Sequence, residues 1–206
     1  MKALISPSGI SVVYQSLTDY IESFTGMQLT ENELTAVRQA FKYKRCRRYQ
    51  YVFQEGDICK HMAFLINGSM RMYAVSEKGL EHIMDLALEQ SWVCDYESYN
   101  MLTPSRYYLQ AVEDSELLMI SNEHLQYLID QIPAVATMTK KIEINNMISR
   151  QNRIYAAISL SAEARYHDLM NANPKFAQRF SLAMLASYLG VSPETLSRVR
   201  KAALAR

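Results

Sequence analysis

Four polar side chains near the end of the sequence are spaced so that they share one face of a helix. At spacings of i, i+3, i+4 and i+7, this stripe comprises Glu194, Ser197, Arg198 and Lys201. An arginine can donate two hydrogen bonds to O6 and N7 of guanine, and a carboxylate can accept one from N4 of cytosine. The stripe therefore predicts a helix in the major groove of DNA, with Arg198 and Glu194 contacting base edges.

The residues before and within this stripe predict the two short helices that position it. Ala186 is small enough for a close helix crossing, and Gly190 can take the positive φ of a sharp turn. Ser192 can cap the second helix, and Pro193 fits its first turn, where no N–H is required. The apolar positions that would join the helices are Leu182, Leu185, Leu189, Val191, Leu196 and Val199. We interpret residues 182–201 as a helix-turn-helix.

The predicted DNA-contacting set also contains residues that would touch the phosphate backbone. Such contacts position a protein without reading sequence. Ser192, Thr195, Arg200 and Lys201 are placed for them, although simple solvation is an alternative for Arg200 and Lys201. The complete predicted set is Ser192, Pro193, Glu194, Thr195, Ser197, Arg198, Arg200 and Lys201.

Charge is distributed unevenly along the 206 residues, whose net charge is only +1. Residues 1–139 carry 11 Lys and Arg against 17 Asp and Glu, whereas residues 140–206 carry 11 against 4. A basic C-terminal third beside an acidic remainder indicates that only this third faces an anionic polymer. Three cysteines without a CxxC pair, and no apolar run of signal or membrane-spanning length, predict a cytoplasmic protein with no membrane partner.

The region before residue 121 changes from helical to strand-like patterning. Residues 1–40 show helical spacing, and Thr30 with Glu33 forms a capping box. From residue 43 to 120, short apolar runs alternate with turn signals, which predicts seven or eight strands in a small antiparallel barrel or roll. Asn67-Gly68 between two such runs predicts a hairpin.

A long helix is predicted between the roll and the helix-turn-helix. Ser121 caps a short helix, and residues 134–160 contain no Gly or Pro, so they predict a helix of roughly 40 Å. Its apolar stripe is broad enough for the helix to pack against another element on each of two sides. One interpretation places the helix of a second copy against it, and the other confines its packing to its own domain.

Two segments and the order of the elements resemble the Crp/Fnr family of transcription regulators. FQEGDICKHMAFLINGSMRMYAVSEKGLEHIM is similar to the family's cyclic-nucleotide-binding domain, with Gly56, Gly68 and Gly79 at its turns. SPETLSRVRK is similar to the family's recognition helix, whose E-[TS]-x-[SG]-R core falls on Glu194, Thr195, Ser197 and Arg198. The resemblance covers nearly the whole chain.

The resemblance implies an α+β fold with three parts and a defined set of partners. The parts are a double-stranded β-helix or jelly-roll sensor domain in residues 1–133, a dimerisation helix in 134–160 and a helix-turn-helix DNA-binding domain in 161–206. The partners would be double-stranded DNA with a palindromic operator, a second copy in a homodimer, and RNA polymerase. With only five residues after Lys201, we expect no β-hairpin wing.

The sequence departs from the family where cyclic AMP would bind. The stretch QSWVCDYESYNMLTPSRYYLQA lacks the Gly-Glu pair of cyclic AMP-binding members, and Arg106 is followed by Tyr107. We therefore predict an unidentified small effector rather than cyclic AMP in its usual mode. The candidate effector residues are Asp95, Glu97, Arg106, Tyr107, Asn145 and Asn146. A surface ion pair is the alternative for Arg106, and a role in dimer register is the alternative for the two asparagines.

No pattern indicates an enzyme, a metal site or a definite cofactor. Common nucleophile, zinc and phosphate-loop motifs are absent from the sequence. Cys59-Lys60-His61 is too tight for the usual ligand spacing. The alternative function is a ligand-binding adaptor whose C-terminal helices contact protein. DNA binding would weaken steeply with salt through counterion release, whereas adaptor binding would not.

Overall fold

A computed structural model describes residues 7–204, with side chains described from residue 13 to residue 202. Two predictions concern the ends of the chain: no secretory leader in residues 1–10, and no β-hairpin wing after Lys201. Both involve residues that lie at least partly outside the described range. The helices are α1 (Pro7–Thr25), α2 (Glu31–Ala40), α3 (Tyr96–Met101), α4 (Asn122–Gln131), α5 (Pro133–Ser159), α6 (Ala162–Ala172), α7 (Phe176–Arg179), α8 (Leu182–Leu189) and α9 (Pro193–Leu204). The strands are β1 (Lys42–Cys46), β2 (Tyr51–Phe53), β3 (His61–Asn67), β4 (Met70–Val75), β5 (Glu81–Ala87), β6 (Trp92–Val93), β7 (Tyr108–Ala111) and β8 (Ser115–Ser121).

Helices α2 and α4 begin where their capping residues predict. The Thr30 hydroxyl accepts from the Glu33 N–H, and the Glu33 carboxylate accepts from the Thr30 N–H at 2.7 Å, which completes the capping box. The N–H and the hydroxyl of Thr30 both donate to the Glu33 carboxylate and hold the pKa of Glu33 below its usual value. Ser121 caps α4 in the predicted way. The long helix is confirmed as α5, and no helix within residues 7–204 is long and apolar enough to cross a membrane.

The strands form the predicted antiparallel roll. One sheet has the order β1-β8-β3-β6, and β8 runs antiparallel to both β1 and β3. In the other sheet, β2 pairs antiparallel with β7, and β4 is hydrogen-bonded to β5. Burial of large apolar side chains supplies most of the free energy that stabilises such a core. Fully buried members are Phe64, Leu65, Leu109, Leu117, Leu118 and Ile120.

The predicted hairpin at Asn67-Gly68 is wrong. These residues connect β3 and β4, which belong to different sheets. A Cβ atom on Gly68 would overlap Ser115 Oγ and would lie 2.8 Å from the carbonyl oxygen of Asp114. The glycine is therefore required by close approach to the turn before β8. The glycine is not there to form a two-residue turn between paired strands. The Asn-Gly pair would look the same in the sequence for either role, so the local pattern could not distinguish them.

Contacts within the chain concentrate in two compact units. The first comprises residues 1–70 and 87–143, and the second comprises residues 71–86 and 144–206. Helix α5 therefore contributes to both units. The second unit brings the β4–β5 segment together with the C-terminal helices, an association that the sequence patterns did not predict.

Candidate nucleic-acid interface

The turn between α8 and α9 has the geometry that its glycine predicts. Gly190 ends α8 with φ 68° and ψ 38°, in the left-handed region. The Val191 N–H donates to the Ala186 carbonyl at 3.0 Å, and the Gly190 N–H donates to the Ser187 carbonyl at 3.1 Å. Arg165 Nη1 donates to the Leu189 carbonyl at 2.7 Å. These bonds satisfy carbonyl groups at the end of α8 and fix the direction in which α9 leaves.

The two helices are joined by the apolar residues that the sequence indicates. Leu185, Ala186 and Leu196 are fully buried, and Leu189 is nearly so. The other three predicted positions, Leu182, Val191 and Val199, are half-buried. A cluster that the patterns missed lies behind α8, where the Phe176 ring contacts the rings of Phe180 and Tyr188 at centroid distances of 5.1 and 6.5 Å.

Helix α9 presents the predicted stripe to solvent. Glu194, Arg198 and Lys201 are exposed, and Ser197 is half-buried. A hydrogen bond from its own backbone N–H holds the pKa of Glu194 below its usual value, aided by the Ser192 hydroxyl and the Arg198 charge. Glu194 is therefore ionised at neutral pH and can accept hydrogen bonds.

The remaining members of the predicted set surround the start of α9. The Ser192 hydroxyl accepts from the Thr195 N–H at 3.2 Å, which confirms the predicted cap. Arg198 Nη2 donates to the Thr195 hydroxyl at 3.3 Å. Ser192 and Pro193 are exposed, while Thr195 and Arg200 are half-buried. Their role in DNA contact stays a prediction.

The β4–β5 segment is hydrogen-bonded to α8 within the second unit. The Ser187 hydroxyl accepts from the Ile83 N–H at 2.9 Å and donates to the Glu81 carbonyl at 3.2 Å. Arg153 donates to the carbonyl groups of Ile83 and Met84. About a hundred residues separate Ser187 from its partners, so no local pattern could have revealed this contact.

A half-buried carboxyl group, that of Asp85, lies beside this contact. Burial raises the pKa of Asp85, while the Leu86 N–H and the guanidinium groups of Arg153 and Arg150 oppose the rise. The Arg153 guanidinium lies 4.3 Å from the centroid of the Tyr188 ring. Burial raises the pKa of Tyr188 as well, and Asp85 adds to that rise.

The predicted effector residues near α3 are engaged in contacts within the chain. Asp95 is 5% exposed and caps α3, accepting from the Glu97 N–H at 3.1 Å and the Ser105 hydroxyl at 2.7 Å. Arg106 forms an ion pair with Glu97 at 2.8 Å, and both side chains are more than half exposed. This surface pair matches the alternative that the sequence left open for Arg106.

These contacts do not fit a cyclic phosphate. A phosphate site needs a cation and convergent backbone N–H groups. Here the Asp95 carboxylate occupies the N–H groups of Glu97 and Ser98 at the start of α3, and Glu97 balances the charge of Arg106. Tyr107 is half-buried, and its N–H donates to the Ser105 hydroxyl.

The other two candidate effector residues lie on α5, where many large apolar side chains are exposed. Asn145 is exposed and Asn146 is half-buried. More than 40% of the surface of each neighbouring apolar residue is accessible in the single chain. These residues are Ile144, Met147, Ile148, Ile154, Tyr155 and Ile158. An exposed apolar surface of this extent marks an interaction site.

Comparisons with known proteins agree with this architecture. The family model of the cyclic nucleotide-binding domain matches residues 43–132. Regulatory protein HlyX of Actinobacillus pleuropneumoniae is 29% identical over 183 residues, covering 83% of this chain and 75% of that protein. The fumarate and nitrate reduction regulatory protein of Vibrio cholerae is 26% identical over 185 residues, covering 83% and 72%. The structure of FixK2 from Bradyrhizobium japonicum matches with a TM-score of 0.67 at 15% identity, covering 78% of this chain and 83% of that one.

Sensor roll, long helix and helix-turn-helix together define a class of DNA-binding transcription regulator. The comparisons support a DNA-binding transcription regulator of the Crp/Fnr type. Regulators of this type bind DNA and act as dimers. They are not enzymes, which confirms on family grounds the prediction of a non-catalytic protein.

Proposed function

We propose that this regulator binds a palindromic operator as a homodimer, each protomer reading one half-site with α9. The observation that carries the proposal is the exposed stripe of Glu194, Arg198 and Lys201 on a helix whose opposite side is buried through Leu196. Because the cap at Ser192 and the turn at Gly190 fix α9 to α8, the stripe is presented on a rigid frame. Arg198 is assigned to guanine and Glu194 to cytosine. The phosphate contacts are assigned to Ser192, Thr195, Arg200 and Lys201.

The proposed dimer contact is the exposed apolar face of α5. Ile144, Met147, Gln151, Ile154 and Ile158 follow alternating steps of three and four residues, the spacing of a coiled-coil seam. A second copy of the same helix would bury these side chains. In this arrangement residues 1–133 sense an effector, 134–160 form the dimer and 161–206 read DNA. A cytoplasmic location and a promoter-bound contact with RNA polymerase are part of the proposal.

DNA reading is tested by replacing Arg198 with Ala. An operator is first selected with the unaltered protein from random duplex DNA, and affinities are then measured by fluorescence anisotropy at several salt concentrations. We expect Arg198→Ala to lose about 1–3 kcal/mol of discrimination between the operator and a duplex with the guanine replaced. Lys175→Ala, at an exposed position in the loop between α6 and α7, is the matched control. Unchanged discrimination, or binding that does not respond to salt, would favour the adaptor alternative.

Dimer formation is tested by placing charge on the seam. Ile154→Lys with Ile158→Lys should convert the dimer to a monomer in analytical ultracentrifugation, because buried unpaired charges are costly. Asn152→Lys changes an exposed residue outside the seam and should leave the dimer intact. A dimer that survives both seam substitutions would rule out this face.

A further inference from the structure

One polar side chain, that of Gln151, lies at the centre of the exposed apolar face of α5. On an α-helix, the closest surface neighbours of a residue are those three, four and seven positions away along the sequence. For Gln151 all six of these positions hold large apolar residues, and each is more than 40% exposed in the single chain. They are Ile144, Met147, Ile148, Ile154, Tyr155 and Ile158. The amide of Gln151 is therefore ringed by apolar side chains on the surface of its own helix.

The amide of Gln151 is not used by the rest of the described chain. It can donate two hydrogen bonds and accept two, but it forms none with any described residue. Other long polar side chains of α5 differ in this respect. Lys141 donates to the Phe24 carbonyl at 3.0 Å, and Arg153 donates to two backbone carbonyl groups of β5. Gln151 thus keeps its hydrogen-bonding capacity for a partner outside the single chain.

A second copy packed on this face would bury the Gln151 amide. A buried amide without a hydrogen bond costs free energy, because it loses the water that solvates it. Sliding one helix past the other by a seven-residue repeat would place the amide against Ile144 or Ile158. Smaller shifts would place it against one of its four nearer apolar neighbours. Only direct pairing with Gln151 of the second copy gives each amide a polar partner on this face.

Neighbouring charges on α5 do not supply an alignment. In two-stranded coiled coils, opposite charges at the e and g positions of the seven-residue repeat set the partner and the orientation. With Gln151 at position a, the e positions are Ile148 and Tyr155, so the g residues meet no charged group there. Asn145 and Asn146, the predicted candidates for dimer register, lie about 120° and 140° around the helix from Gln151 and are outside the seam. A single polar residue at position a is enough to specify register, at a cost in stability.

We propose that Gln151 fixes the alignment of the dimer: the two α5 helices run parallel and in register, and the two Gln151 amides hydrogen-bond each other across the two-fold axis. This assignment rests on the proposed dimer contact. The helices run parallel because both helix-turn-helix segments follow the C-terminal end of α5 and must reach half-sites about 34 Å apart on one duplex. A slip of one seven-residue repeat would displace the two segments by about 10 Å relative to each other. The alignment therefore sets the half-site spacing that the dimer accepts.

The test places opposite charges at residue 151 in two preparations of the full chain. Gln151→Glu and Gln151→Lys, each alone, should dimerise at least tenfold more weakly than the unaltered protein in analytical ultracentrifugation, because like charges then face each other. An equimolar mixture should form a heterodimer at least tenfold tighter than either variant forms alone, because a carboxylate then faces an ammonium group. Circular dichroism checks that both variants keep the helix content of the unaltered protein. A mixture that stays as weak as its components would overturn the proposal.

Asn152 supplies the matched control, because it is exposed on α5 but lies about 100° around the helix from Gln151. Asn152→Glu and Asn152→Lys should dimerise like the unaltered protein, both singly and mixed. The same loss and rescue at Asn152 as at Gln151 would show a general charge effect and would contradict the assignment.

Cross-linking tests the parallel, in-register arrangement, which brings residue 158 of one copy against residue 158 of the other. Oxidation by copper phenanthroline should link Ile158→Cys into a covalent dimer on a non-reducing gel. Asn152→Cys and the unaltered protein, whose three cysteines are buried, should stay unlinked. Adding Gln151→Leu to Ile158→Cys should lower the linked fraction at least twofold, because an entirely apolar seam accepts other alignments. An absent link in Ile158→Cys, or a linked fraction that Gln151→Leu does not change, would overturn the assignment.

The seam variants proposed above separate this inference from the dimer contact on which it rests. If Ile154→Lys with Ile158→Lys leaves the dimer intact, the proposed dimer contact fails. If that variant is a monomer but the two Gln151 variants show no rescue when mixed, the contact stands and the role of Gln151 fails.

Discussion

The two regions with predicted functional residues differ in how far their polar side chains are engaged by the rest of the chain. On α9, Glu194, Arg198 and Lys201 point to solvent from a helix that is held by its cap and its turn. Around α3, Asp95 and Arg106 are engaged by other groups of the same chain. A polar residue is therefore available to a partner only where the fold does not already need it. Sequence motifs alone do not report that difference.

The largest expected effect comes from the buried side of the recognition helix. Leu196 is fully buried against α8, so Leu196→Ala should lower the free energy of unfolding by about 2–5 kcal/mol and weaken DNA binding with it. Urea denaturation measures the first quantity. Val199→Ala, at a half-buried position, should cost less. Equal costs would mean that α9 is not anchored by Leu196.

A smaller effect tests the structural use of Asp95. Asp95→Ala removes the cap of α3 and leaves the Ser105 hydroxyl without its buried partner, which should cost about 1–3 kcal/mol of stability. Ser105→Ala should cost less in the Asp95→Ala background than on its own, because the bond between the two residues is already lost and the bond from the Tyr107 N–H is the one left to remove. Asp95→Ala with unchanged stability but altered effector response would instead support the predicted effector role.

The smallest expected effect is a change in the pH dependence of stability. Burial raises the pKa of Asp85 in the folded chain above its unfolded value. The folded state therefore binds the proton more tightly, so this group stabilises the fold fully below the unfolded pKa and loses that contribution as pH rises through the folded pKa. Asp85→Asn should flatten this decline as pH rises above the usual pKa of an aspartate, measured as the urea midpoint. An unchanged pH profile would show that Asp85 is not buried in solution.

Features set by a few neighbouring residues were predictable, whereas features set by distant contacts were not. The capping box at Thr30, the cap at Ser192 and the left-handed turn at Gly190 each depend on residues within one helical turn. The contact between Ser187 and Ile83 depends on residues far apart in the sequence. The engagement of Asp95 by Ser105 is of the same kind, because it depends on how the loop after α3 folds back.

Gly68 illustrates how a crowded position limits the genetic variation that the chain can accept. Any added side chain there would overlap Ser115 and the backbone of Asp114. By contrast, a side chain at Gly79 would meet open space, and only its positive φ would resist a substitution. In a library of all single substitutions, Gly68 should tolerate no other residue, while Gly79 should accept Asn and Asp. The two positions hold the same residue in the sequence, but they differ in which substitutions selection would permit.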